Sequence, residues 1–379
     1  MLTLARFLLV AILTGLFVSI TLISAGVPLA EPGSTSDLTT PKGVYTASCA
    51  ACHAADGSGS PSERVGFDTD LPDFSDCSFA TREPDGDWFA IAHQGGPVRG
   101  FVDTMPAFGE ALTEEQIVMA IEHIRTFCAD PAWPRGEVNF PRAIGTEKAF
   151  PEDELLLTTR IDAEGEGAFR QDFLYERRFG AANQFELKVP IVGRENDPNG
   201  GWNVGGGDIE VGVKRVLVHN PTAGYIFSFT GAVLLPLGDY DKDLGKGAAM
   251  LEPFFTAGVR LPRDSFVQFQ AGGEISTNTD RADHEAFYRA VIGKTFTSGR
   301  FGRAWSPMLE FLGATEFGHD GAESQLDLMP EIQVSLNTRQ HIMANFGVRF
   351  PVTEAAHRDT QVLFYLLWEW FDGGFLDGW

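Results

Sequence analysis

Strict alternation of apolar and polar residues runs through the second half of the chain and limits how that half can fold. In one segment the apolar side chains stand at every second position, at Phe185, Leu187, Val189 and Ile191. Such alternation is typical of a β-strand with one apolar and one polar face. About twelve such segments begin near residues 154, 169, 183, 207, 224, 249, 265, 285, 305, 324, 341 and 360. Without helical stretches between them, residues 153–379 are predicted to form an antiparallel all-β meander.

Two folds accommodate this meander. A soluble β-sandwich turns its polar face to water, whereas a transmembrane β-barrel turns its apolar face to lipid and its polar face to the lumen. Short links at 180–183, 220–224, 262–264 and 337–340 alternate with long links at 194–205, 238–247, 276–284, 318–324 and 354–360. This alternation is typical of a membrane barrel. Two links depart from it, since 297–303 is long for a tight turn and 163–167 is short for an outer loop. We expect a 12-stranded transmembrane β-barrel, with the sandwich as the alternative.

Charged residues recur on the polar face of the predicted strands. They are Glu186, Lys188, Glu210, Lys214, Glu274, Asp327, Glu331 and Arg349. In a barrel they would line the lumen, and in a sandwich they would face water. An even number of strands puts both barrel ends on one side of the membrane, which leaves an exported N-terminal part in the periplasm.

All four cysteines lie in the first half, two of them in the run Cys49-Ala-Ala-Cys52-His53. Two thiols three positions apart, followed at once by a histidine, form the attachment pattern of a c-type haem. The thiols form thioethers with the vinyl groups, and the histidine binds the iron. A disulfide or a zinc pair is the alternative, although no second Cys-x-x-Cys stands ready to complete a zinc site. The motif therefore predicts one covalent haem c, held by Cys49, Cys52 and His53.

Residues 41–130 resemble a small, all-α monohaem cytochrome c of the His/Met type. The resemblance is carried by Gly43 and Tyr45 before the motif, Gly57 and Gly59 after it, and the run Thr104-Met105-Pro106-Ala107-Phe108. In that family the methionine of such a loop is the distal iron ligand, so the resemblance implies this role for Met105. His93, or an iron left open to water, is the alternative. Iron with two protein ligands passes single electrons and leaves no position for substrate, which indicates an electron carrier and not an enzyme.

A helix is predicted directly after the Met105 loop. Thr113 and Gln116 have the spacing of a capping box, which marks the start of the helix. Three isoleucines and a cysteine then fall on one helical face: Ile117, Ile121, Ile124 and Cys128.

Cys77 and Cys128 remain once the haem motif has taken the other two cysteines. A disulfide between them is plausible in an exported domain, and two free thiols are the alternative. The pair is not a requirement of the cytochrome family, so it would be a local addition.

Segments outside the two domains complete the predicted organisation. Residues 1–30 combine Arg6, a long apolar run and small residues, which predicts a signal peptide, with an uncleaved inner-membrane anchor as the alternative. Residues 131–152 are rich in proline, so we expect an extended spacer and not a packed element. The formal net charge of −23 excludes nucleic acid as a partner, because phosphate contacts need clustered basic residues.

Most of residues 165–370 also resemble the outer-membrane channels linked to aromatic-compound degradation. The residues that carry this resemblance are Gly206-Gly207-Asp208-Ile209-Glu210 with Val213-Lys214, and Leu235-Pro236-Leu237-Gly238-Asp239. The resemblance implies a barrel and, as a possible partner, a small-molecule solute.

Three functions follow from these predictions. The first is a one-electron carrier tethered to the outer membrane, with a redox partner protein in the periplasm. The second is a solute channel with an accessory cytochrome, and the third is a soluble periplasmic cytochrome with a sandwich module. A barrel of twelve strands is about 24 Å across, so a domain about 31 Å across cannot enter it.

Overall fold

The computed structural model describes residues 37–66, 71–164, 167–196, 200–319, 321–353 and 358–370. The predicted signal peptide therefore lies outside the described residues. Within this part of the chain, no helix is long and apolar enough to cross a membrane. A small helical domain comes first, and a closed antiparallel barrel follows it.

The helical domain contains short helices around a compact apolar core. They are α1 (Pro41–Ser48), α2 (Ala50–His53), α3 (Ser62–Val65), α4 (Cys77–Ala80), α5 (Asp85–Gln94) and α6 (Glu114–Ile124), with a 3-10 turn at Gly96–Arg99. The predicted capping box starts α6, because Thr113 Oγ1 accepts from the Gln116 N–H and Gln116 Oε1 accepts from the Thr113 N–H. The predicted isoleucines of this helix are buried in the core.

The barrel strands follow one another along the chain. They are β1 (Glu154–Asp162), β2 (Ala168–Phe179), β3 (Asn183–Arg194), β4 (Asn203–Gly206), β5 (Ile209–Asn220), β6 (Tyr225–Leu235), β7 (Met250–Leu261), β8 (Ser265–Ser276), β9 (His284–Lys294), β10 (Phe296–Thr297), β11 (Ala304–Gly318), β12 (Gly321–Ser335), β13 (Ile342–Pro351) and β14 (Gln361–Glu369). Neighbours pair in antiparallel fashion, β1 also pairs with β14, and β9 pairs with β11. Without the short β4 and β10, twelve strands close the barrel, as predicted.

The two faces of this sheet decide between a barrel and a sandwich. Large apolar side chains cover the outside and are exposed, among them Phe173, Val213, Phe255, Phe269, Tyr288, Ile292, Phe311, Phe346 and Phe364. Polar side chains point inward and are buried, among them Glu176, Glu186, Lys214, Thr230, Gln268, Glu310, Asp327, Glu331 and Asn345. This inside-out arrangement suits lipid outside and a polar lumen inside. The barrel prediction is confirmed, and the sandwich is excluded.

Short turns gather at one end of the barrel and long connections at the other. The turns after β2, β5, β7 and β12 are short, as the spacing predicts. The expected long link at 318–324 is short instead, because β11 and β12 continue pairing as far as Gly318 and Gly321. The irregular link at 297–303 is a hairpin, in which β10 pairs with the start of β11.

The proline-rich segment does not form the unpacked spacer that its composition predicts. Residues 138–152, here termed the plug, enter the barrel lumen and bury Val138, Phe140 and Phe150. These side chains pack against inward-facing apolar residues of the strands, and the Phe140 ring stacks on Phe266 at 5.8 Å between centroids. Gly258 makes this approach possible, since a Cβ atom there would lie 2.6 Å from the Phe140 ring.

Side chains that line the lumen form the hydrogen bonds with the plug backbone that regular secondary structure would otherwise provide. The Gly145 N–H donates to Glu310, and the Gly145 carbonyl accepts from Arg289 at 2.7 Å. The Arg142 carbonyl accepts from the Tyr365 hydroxyl at 2.6 Å. Buried backbone groups need such partners wherever they are found. An irregular segment can therefore be buried here because the barrel wall supplies its hydrogen bonds.

Two basic residues of the plug are neutralised by buried carboxylates, which belong to the wall except for Glu152 of the plug itself. Arg142 pairs with Glu154 and, at 2.8 Å, with Glu176. Lys148 pairs with Glu152 and lies 3.6 Å from Glu154. Removing one member of a buried pair costs about 3–5 kcal/mol, so these pairs hold the plug firmly in place.

Candidate functional site

The Cys-x-x-Cys-His run forms one helical turn between α1 and the loop that follows. The His53 N–H donates to the Cys49 carbonyl at 2.9 Å, which puts Cys49 and His53 one turn apart. Cys49 and Cys52 are both free and partly buried. Burial, assisted by neighbouring Cys52, raises the pKa of the Cys49 thiol to about 11, so this thiol is protonated at neutral pH.

The His53 imidazole is buried with 8% of its surface exposed, and its ring packs against Phe74 at 5.0 Å. Burial lowers the pKa of His53 to about 4, so the ring is neutral at neutral pH. Its Nδ1 atom is buried and has no hydrogen-bond partner among the described residues. A neutral imidazole is the form that a metal ion requires.

Two contacts hold this helical turn in place. Tyr45 on α1 is buried, and its hydroxyl donates to the Ala54 carbonyl at 2.7 Å, directly after the motif. Its ring packs against Phe127 beyond α6 at 5.2 Å. Gly57 has a φ of 81°, and a Cβ atom there would lie 2.5 Å from the Phe127 ring. Only glycine suits both the backbone angle and this close approach.

Met105 lies in the loop before α6, as predicted, and backbone hydrogen bonds at and after the methionine join this loop to the end of α5 and the turn that follows it. The Met105 carbonyl accepts from the Gly96 N–H at 3.0 Å, and the Phe108 N–H donates to the Ala92 carbonyl at 2.9 Å. The side chain of Met105 is partly buried.

His93, the alternative ligand, takes part in contacts with the barrel. Its ring packs against Phe89 at 5.6 Å and against Phe301 at 5.7 Å, while its Nδ1 lies 2.7 Å from Gln94 Nε2. These contacts give His93 a packing role at the boundary between the domains.

A disulfide joins Cys77 at the start of α4 to Cys128 just after α6, with the Cα atoms 5.3 Å apart. It lies beside the core that surrounds the haem motif.

The cytochrome-like domain rests on the short-turn end of the barrel, a contact that sequence reasoning missed. The hairpin at 298–303 contributes Phe301, whose carbonyl accepts from Arg99 at 2.7 Å. Arg300 of the same hairpin pairs with Glu114 at 2.8 Å. The unusual length of this link was the one available signal, and its added residues form the contact.

A second turn, at 336–341, contacts the helical domain, in part at the segment that leads to Met105. The guanidinium of Arg339 lies 4.4 Å from the centre of the Phe101 ring, and Nε2 of His341 lies 2.7 Å from a carboxylate oxygen of Glu83. Together, the hairpin and this turn are termed the docking turns. They hold residues 99–101, and the Met105 loop follows directly.

The residues present fit a covalently attached haem. Two free thiols and a buried neutral imidazole with an unpartnered nitrogen occur together on one helical turn. When bound, such a group supplies an iron that changes its charge by one electron. The residues of the chain would attach the group, ligate it and keep its surroundings apolar.

Comparisons with known proteins agree with this division into two parts. Residues 36–124 match the family model described as cytochrome c oxidase, cbb3-type, subunit III, which confirms that the N-terminal domain resembles a cytochrome c. A search of curated proteins found no significant match.

Solved structures similar to the chain include outer-membrane channels. The COG4313 outer membrane channel from Pseudomonas putida F1 is 12% identical, with a TM-score of 0.44, and the match covers 61% of this chain and 100% of that one. The KdgM porin is 10% identical, with a TM-score of 0.38, and the match covers 57% and 99% of the two chains.

Proposed function

We propose that the protein is a one-electron carrier that holds a single covalent haem c at the periplasmic face of the outer membrane. Cys49 and Cys52 would attach the haem, and His53 and Met105 would ligate its iron. The barrel anchors the domain, which exchanges electrons with a periplasmic redox partner protein.

The observation that carries this proposal is the haem motif on a buried turn of a domain that rests against a membrane barrel. His53 is neutral, as an iron-ligating imidazole must be, and its buried Nδ1 has no hydrogen-bond partner among the described residues. The docking turns hold the domain at the barrel mouth, and the plug passes from it into the lumen. An anchor of this kind needs no open pore.

Sucrose-gradient fractionation of cells that express the chain with a haem-maturation system tests both parts of the proposal. Covalent haem is expected in the outer-membrane fraction and should resist a high-salt wash. A double variant, Cys49→Ser with Cys52→Ser, should reach the same fraction without covalent haem. Haem in the soluble periplasmic fraction would refute the membrane anchor. Haem staining of the double variant would refute the attachment residues.

A solute channel is the second candidate, and the polar lumen favours it. The plug is one segment without regular secondary structure, so its withdrawal would open a path between the short turns and the long loops. Conductance of the unaltered protein in planar bilayers would support the channel, whereas a closed barrel would support the anchor.

A further inference from the structure

Between the plug and the long connections lies a cavity of about 850 Å³, here termed the chamber. Plug residues such as Arg142 and Gly145 form its floor. The connection between β6 and β7 folds over it and contributes Tyr240 and Leu244. Asp208 secures this connection by accepting from the N–H groups of Gly238 and Lys246. The volume lies in the range of small-molecule sites, which hold ligands of several hundred Å³.

One wall of the chamber carries three arginines, which outnumber the two aspartates, Asp162 and Asp172, of the same strands. Arg160 on β1 and Arg170 on β2 stand directly opposite each other in the strand register, and both line the cavity with Arg349 on β13. Arg170 pairs with Asp172 and Arg349 pairs with Asp327, whereas the buried Nε of Arg160 has no hydrogen-bond partner among the described residues. Like charges opposite each other destabilise a strand pair.

The other wall is acidic. Glu274 on β8, Glu285 on β9 and Glu316 on β11 occupy directly opposed positions on three neighbouring strands and line the same cavity. Lys246 pairs with Glu274, while Glu285 and Glu316 have no ion pair among the described residues. This second row of like charges also costs stability.

The two walls face each other at the same depth. Arg160 and Glu274 each stand two residues before the long-connection end of their strand. Along the barrel the order is β1, β2, β3, β5, β6, β7 and β8, so six of the twelve strand steps separate them. Arginine and glutamate side chains therefore project into the chamber from opposite sides.

We propose that the chamber binds a small dipolar solute, with its anionic group on Arg160 and its cationic group on the row around Glu285. Such a solute would neutralise the two like-charged rows at once, which a singly charged solute cannot do. The proposal does not depend on haem binding, and it stands whether or not the solute passes the plug.

Triglycine is a suitable probe for this site. Its ammonium and carboxylate lie up to about 10 Å apart in the extended chain. This length is comparable with the space left in a barrel about 24 Å across when side chains project from both walls. N-acetyl-triglycine and triglycine amide have the same backbone and keep only one of the two charges.

Calorimetric titration of the full-length protein in detergent tests the proposal. Triglycine should bind saturably, and each singly charged analogue should bind at least tenfold more weakly. Arg160→Gln should weaken triglycine binding at least tenfold and leave it no tighter than the binding of triglycine amide. Glu285→Gln should do the same with N-acetyl-triglycine as its reference.

Arg177→Gln is the matched control, because Arg177 is exposed at the opposite end of β2 and its loss should leave binding unchanged. The heat-dependent gel mobility of a folded barrel verifies that each variant has folded. Equal binding of the three peptides, no saturable binding of triglycine, or unchanged binding by a folded Arg160→Gln variant would each overturn the proposal.

Discussion

At the scale of residues, the site depends on side chains that burial keeps uncharged at neutral pH. His53 is uncharged because it is buried, and Cys49 is protonated for the same reason. A short helical turn thus carries two thiols and a neutral imidazole, the set that the proposed haem needs. Met105 belongs to a different segment, so its role can be tested without disturbing attachment.

Met105→Ala should retain covalent haem, lower its reduction potential and let added imidazole bind the iron. The change removes the thioether that favours the reduced state and opens one coordination position. Absorbance titration with imidazole and redox potentiometry measure the two effects. Met119→Ala, within α6, is the control and should behave like the unaltered protein. An unchanged Met105→Ala variant would rule out Met105 and make His93 the next residue to test.

Asp85 is expected to make the domain sensitive to strong acid. Burial opposes its charge, but Arg125 and Arg135 outweigh this effect and hold the pKa of the carboxyl below its usual value of 3.8. The folded state therefore binds this proton less readily than the unfolded state, and stability falls as the pH falls below about 4. Urea unfolding at pH 3 and pH 6 should show a smaller difference for Asp85→Asn than for the unaltered domain. An equal difference in both proteins would contradict this assignment.

At the scale of elements, three connecting segments, the plug and the two docking turns, have the largest effect on the architecture. The plug fills the lumen through buried contacts with the wall, and the docking turns join the domain to the barrel mouth. Each segment is irregular, and each is ordered by hydrogen bonds and packing that come from another part of the chain.

The barrel should conduct ions only when the plug is loosened. Arg142→Met with Lys148→Met removes both ion-pair partners that the buried Glu154 has among the described residues, at a cost of about 3–5 kcal/mol for each broken pair. We expect a closed unaltered protein and intermittent conductance of the variant in planar bilayers. Lys242→Met, which alters an exposed ion pair on a long connection, should stay closed. A variant as closed as the unaltered protein would show that the ion pairs do not retain the plug.

Phe301→Ala should loosen the Met105 loop. The Phe301 ring contacts Phe89 and His93, and each aromatic contact contributes about 0.5–1.5 kcal/mol. Hydrogen exchange of residues 95–109 should therefore accelerate severalfold in the variant. Phe296→Ala, on the exposed outer wall, provides a control that should leave this exchange unchanged. Equal exchange in both variants would mean that the docking turns do not order the loop.

At the scale of the whole molecule, the position of the helical domain on the barrel links the side of the membrane that the domain occupies to the orientation of the barrel in the membrane. The domain lies at the short-turn end, so a periplasmic domain requires the long connections to face outward. The plug and the docking turns make the two parts one assembly.

Cysteine labelling in intact cells tests this direction. Lys242→Cys on a long connection should react with a bulky, membrane-impermeant maleimide, whereas Thr222→Cys on a short turn should react only after the outer membrane is broken. The native cysteines are expected not to react, because two would be thioethers under the proposed function and two form the disulfide. The reverse pattern would put the haem domain outside the cell.

The sequence alone determined features that depend on local periodicity and spacing. Alternation located twelve strands to within three residues of their observed starts, and the capping box located α6. The inside-out barrel could be anticipated because link lengths also repeat along the chain. The haem motif could be recognised because attachment demands a fixed local spacing of Cys49, Cys52 and His53.

Only the tertiary structure decided what the irregular segments do. Proline density predicted a spacer at 131–152, because proline resists helices and central strands. That reasoning is correct about secondary structure and wrong about packing. Partners such as Glu310 and Tyr365 come from strands more than 160 residues away and can supply hydrogen bonds to any extended chain inside the lumen. The docking turns and the chamber likewise arise from barrel closure, which brings together charges and rings that no local pattern connects.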